Sequence, residues 1–202
     1  MIYKIKENSL YYPKLLKEIS DKPKNIYVLG NILNLRKECI AIVGTRKCTN
    51  KGKIIAEKIA YEYAKKGYVI VSGLAIGIDT AAHIGALKAK GRTIAVLGHG
   101  LDRIYPDVNK ELAKKIIKNN GTIITEYSFK DEFKPENFPR RNRIINGLCE
   151  KVIIAEAKEK SGSIITANLA IEENRELLVV PRDISTNSQG LINLLKSGAK
   201  LL

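Results

Sequence analysis

Three arginines stand within four positions in Phe138-Pro139-Arg140-Arg141-Asn142-Arg143. Guanidinium forks match phosphate oxygens two at a time and stack on flat rings, and a neighbouring phenylalanine adds a surface on which a base can lie. The run enters a helix whose apolar face is Ile144, Ile145 and Leu148. Cations at a helix start oppose the helix dipole, and an external anion would relieve that opposition; the alternative is a merely solvated basic helix start. Gly44-Thr45-Arg46 and Ser72-Gly73 each follow a β-branched run, where a glycine-containing loop leads toward a helix. Such a junction offers backbone N–H groups and the positive end of a dipole to a phosphate, or else it is a tight turn whose glycines serve packing. Ser161-Gly162-Ser163-Ile164-Ile165-Thr166 is another hydroxyl-rich helix entry, in which Ser161 or Ser163 can act as the cap. The chemistry these residue types share is anion recognition.

Catalytic chemistry is sparse. His83 follows Asp79 by four residues, so the two can share a helix face, but no serine or cysteine is placed beside them. Glu126 and Glu156 end strands without forming a recognisable acid–base pair. No catalytic residue is assigned. Neither Gly-x-Gly-x-x-Gly nor Gly-x-x-x-x-Gly-Lys-Ser/Thr occurs, which disfavours NAD binding and P-loop ATP hydrolysis. Cys39, Cys48 and Cys149, with His83 and His99, supply no zinc set. No cofactor and no metal are expected.

The elements that must position these groups alternate. Strands are predicted at Ile40–Val43, Tyr68–Val71, Thr93–Leu97, Thr122–Thr125, Val152–Ile154 and Leu177–Val180. Helices are predicted at Lys51–Lys66, Thr80–Lys90, Asn109–Asn119, Arg143–Cys149, Ser163–Asn174 and Gln189–Lys196. Alternating strand and helix means an α/β chain of Rossmann-like type: a doubly wound, mostly parallel sheet with helices on both faces. Residues 1–37 read as an N-terminal extension packed on the core, with a strand over Ile26–Gly30, and residues 38–202 as the core. Ligands gather at the carboxyl ends of such strands. Those ends carry Gly44-Thr45-Arg46, Ser72-Gly73, Gly98-His99-Gly100, Glu126-Tyr127, Glu156 and Pro181-Arg182.

The 202 residues carry 35 Lys+Arg against 21 Asp+Glu, a formal charge of +14 that suits an anionic partner, most often nucleic acid. An AT-rich coding bias would also enrich Lys, Ile and Asn together. Aromatic content of 6% and the absence of Trp do not advertise a base-stacking platform. No apolar run approaches the ~20 residues of a membrane helix, and no signal peptide is recognisable at Met1–Glu7. An odd set of scattered cysteines points to reduced thiols in a cytoplasm.

Taken in order, these runs resemble the DNA-processing protein A (DprA, Smf) family. The matching blocks are Val43-Gly44-Thr45-Arg46, Val71-Ser72-Gly73-Leu74-Ala75 with Gly77-Ile78-Asp79, and Ala95-Val96-Leu97-Gly98 with Tyr105-Pro106. They continue through Phe138-Pro139-x-Arg141-Asn142-Arg143, Ser161-Gly162-Ser163-x-Ile165-Thr166 and Gly190-x-x-x-Leu194. The resemblance implies a non-catalytic Rossmann-like core that binds single-stranded DNA, protects it and helps load the RecA recombinase in natural transformation. It implies a DNA pocket lined by Arg46, Ser72, Gly73, Arg141, Asn142 and Arg143. It implies a homodimer through the C-terminal part, where Ile192, Leu194, Leu195 and Leu201 would make the apolar contact or else close the core. Gly44, Thr45, Phe138, Arg140, Ser161, Gly162 and Thr166 join the candidate DNA-binding set through the runs above. This chain departs from the family at Ile76, where a basic residue is usual, and at Pro181-Arg182, where Pro-Gly is common. Neither a helical N-terminal domain nor a C-terminal winged helix is recognisable. Two other functions compete: a module binding or cleaving a small nucleotide derivative, and a scaffold that contacts a recombinase through its basic surface.

Overall fold

The computed structural model describes residues 1–129, 131, 133–157, 162–181 and 189–202. Nine strands form one sheet: β1 (Ile2–Lys6), β2 (Asn25–Gly30), β3 (Cys39–Gly44), β4 (Val69–Ser72), β5 (Thr93–Leu97), β6 (Thr122–Thr125), β7 (Lys151–Glu156), β8 (Glu176–Val179) and β9 (Lys200–Leu201). Among the described residues seven α-helices intervene: α1 (Lys14–Glu18), α2 (Asn50–Lys65), α3 (Ile78–Lys88), α4 (Lys110–Lys118), α5 (Asn137–Gly147), α6 (Gly162–Glu172) and α7 (Gln189–Lys196). The strand order is β1-β2-β6-β5-β4-β3-β7-β8-β9. From β6 to β9 every pairing is parallel, whereas β2 joins β6 antiparallel and β1 joins β2 antiparallel. The α/β, Rossmann-like, mostly parallel sheet expected from the alternation is present.

Pleating explains the two-sided core. Along β3, Ala41 and Val43 turn to the cluster that packs α1, α5 and α6, while Ile40 and Ile42 turn to the cluster that packs α2 and α3. Alanines at four-residue spacing in α2 (Ala56, Ala60, Ala64) meet the small residues Ala81, Ala82 and Ala86 of α3, so the two helices lie close over the sheet. Among the described residues, no helix is long and apolar enough to cross a membrane.

The first 37 residues supply two strands of the same sheet and the helix α1. Asn34 Nδ2 donates to Asn120 O at 2.8 Å and to Thr122 Oγ1 at 3.0 Å, tying this segment to the edge of β6. Leu16 and Ile19 are buried in the cluster that holds Ile144 and Leu148 of the α5 side.

The chain fills the sheet outward from β3 in one direction, through β4, β5 and β6, and then returns to its other side with β7, β8 and β9. The reversal lies between β3 and β7. Such a switch point leaves a crevice outside the carboxyl ends of the two strands.

His83 does not pair with Asp79. Its Nδ1 lies 2.7 Å from Thr93 Oγ1, and that hydroxyl donates its own proton to Ile70 O at 2.6 Å. The imidazole therefore carries a proton on Nδ1. Burial, with the Arg141 charge adding to it, pulls His83 down to about 3. An unfolded histidine titrates near 6.5. Between those values the unfolded chain binds a proton that the folded chain refuses, so stability declines as the pH drops below about 6.5, by about 1.4 kcal/mol per pH unit. In urea titrations at pH 7, 6, 5 and 4, His83→Gln should show a shallower loss of stability than the parent. Parallel curves would mean that His83 accepts its proton without unfolding.

Candidate nucleic-acid interface

A cleft of about 380 Å³ opens at the switch point. Gly44, Thr45 and Arg46 from the end of β3 form one wall, the first turns of α6 (Gly162, Ser163, Thr166) form another, and α5 crosses the floor. Pro139 borders the cleft, and Phe138, Arg141, Asn142 and Ile145 of α5 line it along one face. Their spacing of three, four and seven residues is one stripe of a helix.

That stripe sorts the three arginines expected to bind together. Residues two apart on a helix point to opposite sides, so Arg141 and Arg143 cannot serve one surface. Arg141 faces the cleft, while Arg140 and Arg143 border a second groove on the far side of α5. Arg143, with 6% of its side chain exposed, donates from Nη1 and Nη2 to the two Glu126 oxygens at 2.7 Å each and from Nε to Asp21 O, also at 2.7 Å. This guanidinium ties α5 to β6 and to the N-terminal segment, on the side of α5 away from the cleft.

Arg141 is 4% exposed and turns inward. It donates from Nη1 to Gly73 O at 2.8 Å and to Val96 O, and from Nε to Asn142 Oδ1 at 3.1 Å. It thereby bridges the ends of β4 and β5. Gly73 makes room for it, since a Cβ there would stand 2.5 Å from the guanidinium. Burial pulls Arg141 down to about 10, with Asp79 opposing the shift and Arg46 adding to it. It remains a cation at neutral pH.

The bare amides expected after β4 are not free. Gly77, at φ +88°, starts α3 and lets the loop run against the carbonyls of Thr45 and Arg46. Two residues on, the Asp79 carboxylate folds back and accepts from Gly73 N at 3.1 Å and Ala75 N at 3.4 Å. Burial pushes Asp79 up, opposed by Arg141 and by these two amides. The loop after β3 is engaged in the same way. Thr45 N donates to Glu156 O at 2.7 Å, and Thr49 N and Thr49 Oγ1 donate to Glu156 Oε2 at 3.0 and 2.8 Å. Ser72 Oγ donates to Ile42 O at 2.7 Å, deep in the sheet. Two of the protein's own carboxylates accept amides at the junctions where a phosphate was expected.

What faces outward is Arg46. It is exposed, and its guanidinium carbon lies 5.7 Å from the centre of the Phe138 ring. Phe138 belongs to a cluster that composition did not suggest. Its ring centroid is 5.7 Å from Tyr105, 5.4 Å from Phe133 and 6.2 Å from His99. In the sequence Tyr105-Pro106 stands out only as a motif, and nothing local marks Phe133. Burial lowers His99, against the pull of the Gly100 carbonyl that its Nδ1 meets at 2.8 Å. Lys47, also unanticipated, stands exposed at the rim.

Of the remaining candidates, Ser161 and Arg182 lie outside the described residues. Gly162 and Thr166 line the cleft, and Thr166 Oγ1 donates back to Gly162 O at 3.1 Å. Among the residues expected at a dimer contact, Leu194 is 3% exposed and belongs to the chain's own core, with Leu195 packed partly against it. Ile192 and Leu201 stay exposed at 37% and 58%.

Two neighbouring arginines should therefore respond oppositely to truncation. Arg141→Ala leaves two strand-end carbonyls and the Asp79 charge without their cation, a loss of about 3–5 kcal/mol. Arg46→Ala removes an exposed side chain and should change stability by no more than about 0.5 kcal/mol. Urea midpoints of the two variants measure the contrast, and equal midpoints would contradict the structural role given to Arg141.

The family model described as DNA recombination-mediator protein A matches residues 4–202. The DNA processing protein DprA of Streptococcus pneumoniae is 45% identical over 192 residues, which cover 95% of this chain and 67% of that protein. The X-ray structure of the S. pneumoniae protein superposes with a TM-score of 0.92 at 41% identity, over 100% of this chain and 71% of the other. A Helicobacter pylori DNA processing protein A structure, described for its single-stranded DNA binding mode, superposes with a TM-score of 0.88 at 35% identity, over 100% and 90%. The fold, the site and the match along the chain agree: it belongs to the DNA recombination-mediator protein A family.

Proposed function

We propose that this chain binds single-stranded DNA in the switch-point cleft, without catalysing a reaction on it. The observation that carries the reading is the exposed Arg46 held over Phe138 at the mouth of a cleft otherwise floored by satisfied groups. A guanidinium on an aromatic ring presents a cation for a phosphate and a stacked pair for a base. Lys47 at the rim and the overall charge of +14 draw a polyanion toward it. The Helicobacter pylori relative, described as binding single-stranded DNA, supports the same use of the fold. The carboxylate in the cleft lining, Asp79, is engaged by backbone amides rather than poised as a base, which supports a binding role over a chemical one.

In the wider proposal the bound strand is shielded from nucleases and passed to a RecA-type recombinase during DNA uptake in the cytoplasm. The protein would act there as a homodimer. Of the candidate contact residues, Ile192 and Leu201 are the exposed ones.

Fluorescence anisotropy with labelled single-stranded oligonucleotides tests the binding reading. Arg46→Ala should weaken affinity about tenfold or more and lower the slope of log affinity against log salt by about one. Phe138→Ala should cost about 1–3 kcal/mol of binding, the usual value of one stacked base. Unchanged affinity in both variants would remove the cleft as the site. Saturable binding of a mononucleotide without any affinity for oligonucleotides would instead support the small-nucleotide alternative.

A further inference from the structure

The far side of α5 holds a second groove, of about 600 Å³, which shares Pro139 with the cleft. Its charge is nearly balanced. Arg140, Arg143 and Arg175 face four carboxylates, those of Glu18, Asp21, Glu172 and Glu173. A phosphate gains little there, in contrast to the rim of the first cleft.

Two residues lining this groove each carry a buried polar atom without a partner among the described residues, Arg175 Nε and Glu173 Oε2. Arg175 is 7% exposed in its side chain and is already fixed by two bonds toward α1, Nη2 to Leu15 O at 3.0 Å and Nη1 to Glu18 Oε2 at 3.5 Å. Its Nε–H is a positioned donor with nothing to donate to. Glu173 sits two residues before it, on the turn from α6 into β8 that Asn174 closes at φ +57°. A buried donor and a buried acceptor left unpaired each carry a desolvation cost, which a ligand offering one acceptor and one donor would relieve. Nucleobase edges offer that pair while carrying no charge.

We propose that this groove is a second subsite on the same single-stranded DNA path, taking the edge of a nucleobase between Arg175 and Glu173. The proposal rests on the DNA-binding reading of the first cleft. The two sites abut at Pro139, and the next residue, Arg140, is 57% exposed and held only loosely, with Nε 3.8 Å from Asp21 Oδ2. Arg140 is free to take the phosphate between a base in the cleft and a base in the groove.

The test compares two oligothymidylates, one too short to pass Pro139 and one long enough to reach the groove. It is run by anisotropy at pH 8, above the value of about 7 to which burial pushes Glu173. Glu173→Ala should weaken the long oligonucleotide about fivefold or more and leave the short one unchanged. Glu173→Gln, which keeps an acceptor oxygen, should hold most of the lost affinity. A long oligonucleotide with abasic residues beyond the first few nucleotides should bind parent and Glu173→Ala alike. If Glu173 merely repels the strand, both substitutions will tighten binding, and that result overturns the proposal. Unchanged long-oligonucleotide affinity overturns it too, as does tight capture of a basic peptide that competes with no DNA. Arg46→Ala in parallel separates the outcomes, since its loss of affinity for both oligonucleotides shows the first cleft at work whatever the groove does.

Discussion

A buried cation sets the geometry of the strand ends. The Arg141 guanidinium is taken out of water and anchored on the carbonyls of Gly73 and Val96, with the Asp79 carboxylate acting on it through the interior. A buried arginine is tolerated only where its donors are met and a counter-charge is near. Everything at the crevice follows from meeting that demand. Gly73 must lack a side chain to admit the guanidinium. Asp79 must turn back from α3 and take two loop amides. The loop of Leu74–Gly77 must then press against the Thr45–Arg46 backbone, which the glycine at 77 allows. The direction in which Arg46 leaves the protein is thus fixed by a residue that itself faces inward.

This arrangement changes how an anion is met. Helix starts and glycine loops ordinarily offer amides to a phosphate. Here Asp79 and Glu156 have taken amides at both junctions, so the crevice presents a side chain in their place. A guanidinium lying on a phenyl ring can shift while staying in contact, and the ring that supports it has further rings behind it. In the proposed role such a surface would hold a flexible polymer without the single geometry that a rigid amide nest requires.

Much of the fold was legible, for a local reason. Strands buried on both faces read as continuous β-branched runs, as at Ile40–Val43 and Thr122–Thr125, and lie where the sequence places them. β1 was missed because Ile5 alone among its residues is buried, so it carries neither a run nor a clean alternation. β9 has two residues and both are exposed. The site was legible in its parts but not in its directions. Gly44-Thr45-Arg46, Phe138 and Asn142 converge because the topology brings strand ends together. The three arginines were grouped because the helix was expected to begin at Arg143, which left Arg140 and Arg141 in an unconstrained lead-in. It begins at Asn137. With that start, the helical period alone separates Arg141 from its neighbours at 140 and 143. The aromatic cluster was invisible because Tyr105, Phe133 and Phe138 are far apart in sequence, and a low aromatic content says nothing of where the few rings meet.

Charge works at two ranges in this molecule. At long range the excess of 14 positive charges attracts a polyanion to any face. At short range most arginines near the crevice are already answered: Arg143 by Glu126 and Asp21, Arg141 by carbonyls and Asp79, Arg175 in part by Glu18. Surface lysines shared over the whole chain raise the encounter rate, and salt weakens them together. They do not choose a register. In the proposed reading that choice falls to Arg46 on one side of α5 and to Arg175 and Glu173 on the other. A helix that buries one arginine inward and leaves Arg140 on its ridge divides the crevice into two unlike compartments, one cationic and aromatic, the other balanced and polar. On the proposed path, a strand crossing that ridge would meet Arg46 over Phe138 on one side and Arg175 with Glu173 on the other.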